Sequence, residues 1–176
     1  SGKSTLIKLL LGLYYPSEGK VMVNGFDLSK CDLEEFYEHT MVVSQDFQFL
    51  DGISIRDNLC IDSLKKETVF RDYINQWELS GVNNIDMEFS KMFHEKGLEL
   101  SGGEKQKLAN IRAKLRNARI AVLDEPTSAI DAATEKKIFQ DLCQDRENRI
   151  TIYITHNYQM AQYADKMIFL DKGKLV

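Results

Sequence analysis

The chain has 176 residues, 43% of them hydrophobic and 28% charged, and a formal net charge of −4. This length allows one sizeable core, and the mixed, slightly acidic charge argues against a nucleic-acid-binding surface. The sequence contains no recognisable signal peptide or membrane-spanning run, and its three cysteines follow no disulfide or metal-ligand spacing. We therefore expect reduced thiols in a cytosolic domain.

The chain begins with the sequence SGKST, which matches the end of the phosphate-binding loop GxxxxGK[ST]. In such a loop Lys3 reaches the β- and γ-phosphates, Ser4 ligates Mg²⁺ and the N–H groups from Gly2 to Thr5 cradle the phosphates. The tripeptide GKS also occurs in ordinary turns. Because the first glycine of the loop would precede residue 1 and no initiating Met is present, we expect a fragment of a longer protein.

Four predicted elements follow this loop. Residues 6–11 are apolar nearly all round and predict a buried helix, and residues 21–25 predict a short antiparallel hairpin on the edge of the sheet. Residues 33–39 predict a short amphipathic helix, and residues 41–44 predict a buried strand that ends at Gln45. A glutamine at this point can share an Mg²⁺ shell or orient water, although it is more often a simple hydrogen bonder.

From about residue 55 to residue 96 the pattern is helical and lacks sheet strands. Residues 67–81 carry apolar and aromatic side chains at i, i+3 and i+4 spacing, among them Trp77. The simplest interpretation is the core of a helical sub-domain. A surface for a partner protein is the alternative.

Ser101, Gly102 and Gly103 lack bulky side chains and open a predicted helix with apolar residues at 108, 111 and 115 on one face. The unpaired N–H groups and the positive dipole end of this helix suit an anionic phosphate. An ordinary N-cap followed by a glycine turn is the alternative. The spacing to the next strand favours the phosphate interpretation.

That strand, at residues 119–123, is a continuous apolar run of the kind found in parallel strands with helices on both faces. It delivers Asp124 and Glu125 to the carboxyl edge of the sheet, where ligands bind in such folds. One carboxylate can support Mg²⁺ and the other can polarise an attacking water. A solvated acidic loop is the alternative.

The remaining residues predict a helix at 134–145, a strand at 150–154, and a further strand at 166–170 that completes the βα alternation. The strand at 150–154 ends in Thr155 and His156. A lone histidine is more often structural than catalytic, but this strand end is one of several that place a polar group at the same edge.

In chain order, SGKST, Gln45, LSGGE, IAVLDEPTSAID and Thr155-His156 resemble the motifs of an ABC-transporter nucleotide-binding domain. They correspond to the second half of the phosphate loop, the Q-loop, the signature motif, Walker B with its D-loop, and the switch histidine. The resemblance covers essentially the whole chain. It implies an α/β fold with a P-loop NTPase-type three-layer core, a mainly parallel sheet and an inserted helical sub-domain, divided into residues 1–54, 55–118 and 119–176.

The resemblance also implies an ATPase that uses ATP and Mg²⁺ and closes head to tail on a second nucleotide-binding domain. Each site would then be built from two chains. The implied catalytic residues are Glu125, His156 and Gln45; the implied nucleotide contacts are Ser1, Gly2, Lys3, Ser4, Thr5, Ser101, Gly102, Gly103, Glu104 and Asp131; and the implied Mg²⁺ contacts are Ser4, Gln45 and Asp124.

Residues 45–50, 55–59 and 95–97 resemble the exporter subtype. This implies transmembrane domains in the same polypeptide, a position on the cytoplasmic face of a membrane and no nucleic-acid partner. The sequence does not distinguish between peptides, lipids and drugs as the transported substrate. Two alternatives are a soluble ABC ATPase without a transport role and a non-hydrolysing nucleotide-binding regulatory module.

Overall fold

The computed structural model describes residues 2–90, 97–116, 118–143 and 149–176. Within these ranges, no helix is both long and apolar enough to cross a bilayer. Apart from two short 3-10 helices, the elements are α1 (Lys3–Leu10), β1 (Met22–Val23), β2 (Phe26–Asp27), α2 (Leu33–Glu38), β3 (Thr40–Val43), α3 (Ile55–Asn58), α4 (Leu64–Gln76), α5 (Gly102–Arg116), β4 (Ile120–Asp124), α6 (Ala132–Cys143), β5 (Ile150–Ile154), β6 (Leu170–Asp171) and β7 (Lys174–Leu175).

A parallel sheet in the order β3-β4-β5 forms the centre of the fold. Val122 of β4 lies between Val42 of β3 and Ile152 of β5. The stretch from Ala121 to Leu123 is buried, which explains why this strand shows no alternation of apolar and polar residues. The predicted α/β class and the predicted parallel strand are confirmed.

Helices cover β4 on both faces. Ala121 and Leu123 join the main core together with the buried residues of α5. Val122 belongs to a second cluster, where it packs with Ile7 and Leu11 at the α1 side. Burial of one such aliphatic side chain contributes about 1.5–3 kcal/mol, so these contacts hold the three layers together.

Helix α1 is less buried than its composition predicted. Ile7 is its buried residue, followed by Leu11 just beyond its end, whereas Leu6, Leu9 and Leu10 are only partly buried. The reason is that α1 packs with one face on the sheet, against Val122. The prediction of a helix buried nearly all round is wrong.

Two hairpins lie outside the parallel sheet. Strands β1 and β2 pair around Asn24 and Gly25, whose φ angles of 50° and 85° form the left-handed turn that this dipeptide favours. Strands β6 and β7 pair in the same way around Lys172 and Gly173. Each hairpin is a two-stranded sheet of its own. The predicted hairpin is confirmed, but its predicted position on the edge of the main sheet is wrong.

The predicted strand over residues 166–170 is also wrong, because only Leu170 of that range is in a strand. The turn at residues 172–173 folds the chain back, and the N–H of Val176 donates to the carbonyl of Phe169 at 3.1 Å. The backbone therefore forms its hydrogen bonds locally. In the described part of the chain, the parallel sheet has β5 as its last strand.

The segment between β3 and α5 contains α3 and α4, as its helical pattern predicted. Helix α4 begins earlier than expected because Ser63 caps it, accepting the N–H of Lys66, and it ends at Gln76 rather than at residue 81. Trp77 is fully buried, and its Nε1 donates a 2.8 Å hydrogen bond to Oδ2 of Asp141 on α6. This tryptophan therefore belongs to the core, as predicted.

The predicted helix at residues 134–145 corresponds to α6, which begins two residues earlier. Its last two predicted residues, and residues 91–96 of the predicted helical sub-domain, lie outside the described residues. The division into residues 1–54, 55–118 and 119–176 stays a prediction.

Candidate functional site

The two carboxylates of the motif after β4 lie at the carboxyl edge of the parallel sheet. Asp124 is the last residue of β4 and pairs in register with Ile154 of β5. The N–H of Glu125 donates to the carbonyl of Ile154 at 3.0 Å. Glu125 has a φ of 50°, a left-handed conformation that is uncommon for a residue with a side chain and that often marks a functional site.

Three side chains from distant parts of the chain meet at this edge. Nζ of Lys3 lies 2.8 Å from Nε2 of His156, and the same Nε2 lies 3.1 Å from Oε1 of Glu125. Without a proton, Nε2 accepts from the Lys3 ammonium; with a proton, it donates to Glu125. The His156 side chain is 75% exposed, so a ligand can reach it from solvent. The structure thus brings together the predicted phosphate lysine, the predicted base and the predicted switch histidine.

The electrostatics of Asp124 favour a cation. Burial raises the pKa of this carboxyl group, and the negative charges of Glu125 and Asp46 raise it further, while the charges of Lys3 and His156 oppose them. A positive ion at this point would relieve the repulsion. Sequence reasoning missed Asp46, which directly follows Gln45 and could have been found as an acid near the end of β3.

Oxygen ligands for Mg²⁺ are available from the residues predicted to hold it. Ser4 is exposed in the first turn of α1, and Asp124 is partly buried. In the described residues, no group of three or more His, Cys, Asp or Glu side chains could hold a metal by itself. Mg²⁺ in phosphate-transferring sites uses one or two protein ligands together with substrate phosphates and water, so this donor set fits the ion.

The amino end of α1 has the features of an anion site. Gly2 precedes the helix with a φ of 94°, no side chain caps the first turn and no acidic residue lies in it. The first N–H groups of a helix lack partners within it and carry the positive end of its dipole. Ser4 and Thr5 are exposed there, as expected for residues that contact a phosphate; Ser1 lies outside the described residues.

The amino end of α5 carries a capping box formed by Ser101 and Glu104. Oε2 of Glu104 accepts from the N–H and the hydroxyl of Ser101, at 2.9 and 2.7 Å, and the N–H of Glu104 faces the Ser101 hydroxyl at 3.3 Å. The hydrogen bonds from Ser101 lower the pKa of Glu104. Glu104 therefore has a local capping role in this chain, and its predicted contact with nucleotide stays a prediction.

The two glycines of the signature motif have different surroundings. A Cβ on Gly103 would lie 2.7 Å from the carbonyl oxygen of Ala129, so this position admits only glycine without a backbone shift. A Cβ on Gly102 would meet no atom within 4 Å. The start of α5 therefore packs tightly on the segment after Glu125 and is open on its other side.

A model of the ABC transporter family matches residues 1–128. The chain belongs to the ABC transporter family. It is 33% identical to the subtilin transport ATP-binding protein SpaT of Bacillus subtilis, over 100% of this chain and 30% of that protein. It is 34% identical to the mitochondrial iron-sulfur clusters transporter ATM1 of Saccharomyces cerevisiae, over 99% of this chain and 26% of that protein.

The solved structure of a bacterial Atm1-family ABC exporter with ATP bound is also similar, with a TM-score of 0.84 and 30% sequence identity. The match covers 99% of this chain and 31% of the exporter chain. This chain thus spans less than a third of the length of these three proteins. Its fold is that of the P-loop NTPases, as predicted.

Two buried amides of this ABC transporter domain were not predicted. Gln106 donates through Nε2 to the carbonyl of Glu125 at 2.9 Å and accepts from the N–H of Ala129 at 2.8 Å. Asn110 donates through Nδ2 to the carbonyl of Pro126 at 2.7 Å. The i, i+4 spacing of these two polar residues within the helical pattern of α5 was a signal that could have revealed them.

Gln45 and Asp131, which the ABC motifs assign to the site, are both exposed. Gln45 is exposed in the turn after β3. Asp131 is exposed and accepts the N–H of Thr134 at 3.0 Å in the first turn of α6, and bonds from Thr134 lower its pKa. The catalytic and cross-dimer roles of these two residues stay predictions.

Proposed function

We propose that this chain is the ATP-binding and ATP-hydrolysing domain of an ABC exporter. The observation that carries the proposal is the chain of contacts from Lys3 through His156 to Glu125 at the carboxyl edge of the sheet. One site then contains a phosphate-binding cation (Lys3), a γ-phosphate contact (His156) and a water-activating carboxylate (Glu125). Phosphoryl transfer to water requires these three groups together.

In this site the open amino end of α1 and the Lys3 ammonium bind the phosphates. Glu125 accepts a proton from the attacking water, and His156 donates through Nε2 to the γ-phosphate in its protonated tautomer. The left-handed backbone of Glu125 keeps the carboxylate at the sheet edge while its neighbour Asp124 ends the strand.

Mg²⁺ would be held by Ser4, Asp124 and Gln45. When bound, the ion neutralises charge on the β- and γ-phosphate oxygens. Asp124 suits this role because its carboxylate is partly buried and lies near the negative charges of Glu125 and Asp46.

A second nucleotide-binding domain completes each site in this proposal. Ser101 and Gly102 are exposed at the amino end of α5, and a helix terminus of this kind attracts phosphate. In the head-to-tail arrangement, Ser101 to Gly103 of one domain face the phosphates held by Lys3 and Ser4 of the other, and Asp131 contributes to the contact between the two domains.

The domain works in a membrane transporter in this proposal. A similar solved structure is that of an ABC exporter with ATP bound, and the similar protein SpaT is a transport ATP-binding protein. We infer that membrane-spanning domains belong to the same polypeptide, that this domain lies on the cytoplasmic face of the membrane, and that no nucleic acid takes part.

Paired lysine variants of the full-length protein test the proposal. Lys3→Ala removes the phosphate ligand, whereas Lys8→Ala removes an exposed lysine of the same helix that lies over the Tyr14 ring. We expect Lys3→Ala to abolish phosphate release and to weaken ATP binding at least about tenfold, and Lys8→Ala to behave as wild type. ATP binding without hydrolysis by the wild type would favour the non-hydrolysing module, and equal activity of both variants would contradict the proposed site.

A further inference from the structure

Glu135 of α6 joins two loops that are far apart in the sequence. Its Oε1 accepts the hydroxyl of Thr127 at 2.9 Å, and its Oε2 accepts Nδ2 of Asn157 at 3.2 Å. Thr127 is buried, and Glu135 and Asn157 are partly buried. One carboxylate therefore fastens the segment after β4 to the segment after β5.

These two loops carry the groups that meet at the site. Thr127 follows Glu125 by two residues, and Asn157 directly follows His156. Oε1 of Glu125 and Nε2 of His156 lie 3.1 Å apart. We propose that Glu135 is a positioning residue that fixes the distance between Glu125 and His156 by holding both of their loops.

The hydrogen bonds around Thr127 have one consistent direction. The carboxylate of Glu135 only accepts, so the Thr127 hydroxyl donates to it. Thr127 Oγ1 also lies 3.2 Å from the hydroxyl of Tyr153, which must then donate to Thr127. Burial raises the pKa of Tyr153 to about 12, so this phenol keeps its proton. Tyr153 thus donates to Thr127, and Thr127 donates to Glu135.

Asn157 is oriented by a second bond. Its Oδ1 accepts the N–H of Gln159 at 3.0 Å, which leaves Nδ2 to donate to Glu135. The N–H of Asn157 also donates to the hydroxyl of Thr155 at 2.8 Å. The backbone on both sides of His156 is thus fixed, and the bond to Glu135 ties it to α6.

The side chain of Glu135 is not needed to start its own helix. Asp131 performs that role through the N–H of Thr134, and its carbonyl accepts the N–H of Glu135 in the first helical turn. A loss of the Glu135 carboxylate therefore acts on the two loops rather than on the formation of α6.

The inference rests on the proposed ATP hydrolysis and is tested in the full-length protein by steady-state kinetics. Glu135→Leu removes both acceptors, and we expect kcat to fall about tenfold or more, as for other displaced catalytic groups, with the KM for ATP changed by less than about twofold. Lys136→Ala, an exposed neighbour on α6, is the matched control and should keep wild-type kinetics.

Glu135→Gln is the conservative variant. Its amide oxygen can accept from Asn157 while its nitrogen donates to Thr127, whose own proton then turns to Tyr153. We expect kcat within about threefold of wild type. Asn157→Leu should lose several-fold in kcat, and adding Glu135→Leu to it should cost less than the sum of the two effects, because both remove the same bond.

The outcomes separate the two claims. If the wild type does not hydrolyse ATP, the proposed function and this inference both fail. If it does, the inference alone is overturned by wild-type kcat in Glu135→Leu, by Glu135→Gln as slow as Glu135→Leu, or by strictly additive losses with Asn157→Leu. If a thermal melt shows that Glu135→Leu is unfolded at the assay temperature, the kcat values of Glu135→Gln and Asn157→Leu are compared instead. Equal kcat values in these two variants overturn the inference.

Discussion

Gln106 of α5 donates a 2.9 Å hydrogen bond to the main-chain carbonyl of Glu125. The same buried amide accepts the N–H of Ala129 at 2.8 Å. One side chain of the signature helix therefore holds both ends of the segment that begins with the proposed base. A movement of α5 would be transmitted directly to the backbone of Glu125.

The first prediction concerns this amide. Gln106→Leu removes the hydrogen bonds to the carbonyl of Glu125 and from the N–H of Ala129, and each lost bond costs about 0.5–1.5 kcal/mol. We expect the Tm of the domain to fall by roughly 5–10 °C and phosphate release to slow at temperatures where the variant is still folded. Lys105→Ala, an exposed neighbour on α5, is the control. An unchanged Tm in Gln106→Leu would show that the two hydrogen bonds of Gln106 do not stabilise the domain.

The second prediction concerns the pH dependence of the capping box. The hydrogen bonds from Ser101 lower the pKa of Glu104 below its ordinary value of 4.5. A lowered pKa means that the stabilisation by this carboxylate is complete above pH 4.5 and is lost as the pH falls through the folded-state pKa. We expect Glu104→Ala to lower the Tm by roughly 2–4 °C at pH 7 and by progressively less below pH 4.5.

Thermal melts of both proteins from pH 7 down to the acid limit of folding measure this difference. A Tm difference between wild type and Glu104→Ala that grows on acidification would have the wrong sign and would contradict the capping assignment.

The third prediction concerns the link between the helical segment and α6. Oδ2 of Asp141 accepts Nε1 of Trp77 and Nε2 of Gln76, both at 2.8 Å. Asp141→Ala leaves the buried indole N–H without an acceptor, so we expect a loss of about 2–3 kcal/mol, or roughly 5–10 °C in Tm. Asp72→Ala removes an exposed aspartate of α4 and should change the Tm by less than about 2 °C. Equal Tm values for Asp141→Ala and Asp72→Ala would contradict a stabilising role for the hydrogen bonds to Asp141.

The arrangement of the site was predictable because parallel strands end at one edge of a sheet. Glu125 follows β4 and His156 follows β5, so both were expected at the same edge of the sheet, and the structure places them 3.1 Å apart. Lys3 was predictable from the phosphate-loop motif. These residues lie directly after recognisable patterns, which is why sequence reasoning found them.

Other parts depend on pairings that local patterns do not encode. Gln106 contacts backbone groups 19 to 23 residues away, and a helical pattern does not say which loop its buried polar residue meets. The partial burial of α1 was missed because composition cannot tell how many faces of an apolar helix are covered. The pairing of the carboxyl-terminal strand was missed, because the local turn at Lys172 and Gly173 pairs β6 with β7 rather than with the parallel sheet.

The most direct test of the account is a comparison of wild type with Glu125→Gln in the full-length protein. Both are incubated with ATP and Mg²⁺, and the bound ATP, bound ADP and released phosphate are measured together with the association of the nucleotide-binding domains. We predict that Glu125→Gln binds ATP and keeps the domains associated, while phosphate release falls at least about a hundredfold because the water has lost its proton acceptor. Phosphate release at the wild-type rate by Glu125→Gln would contradict the assignment of Glu125 as the base.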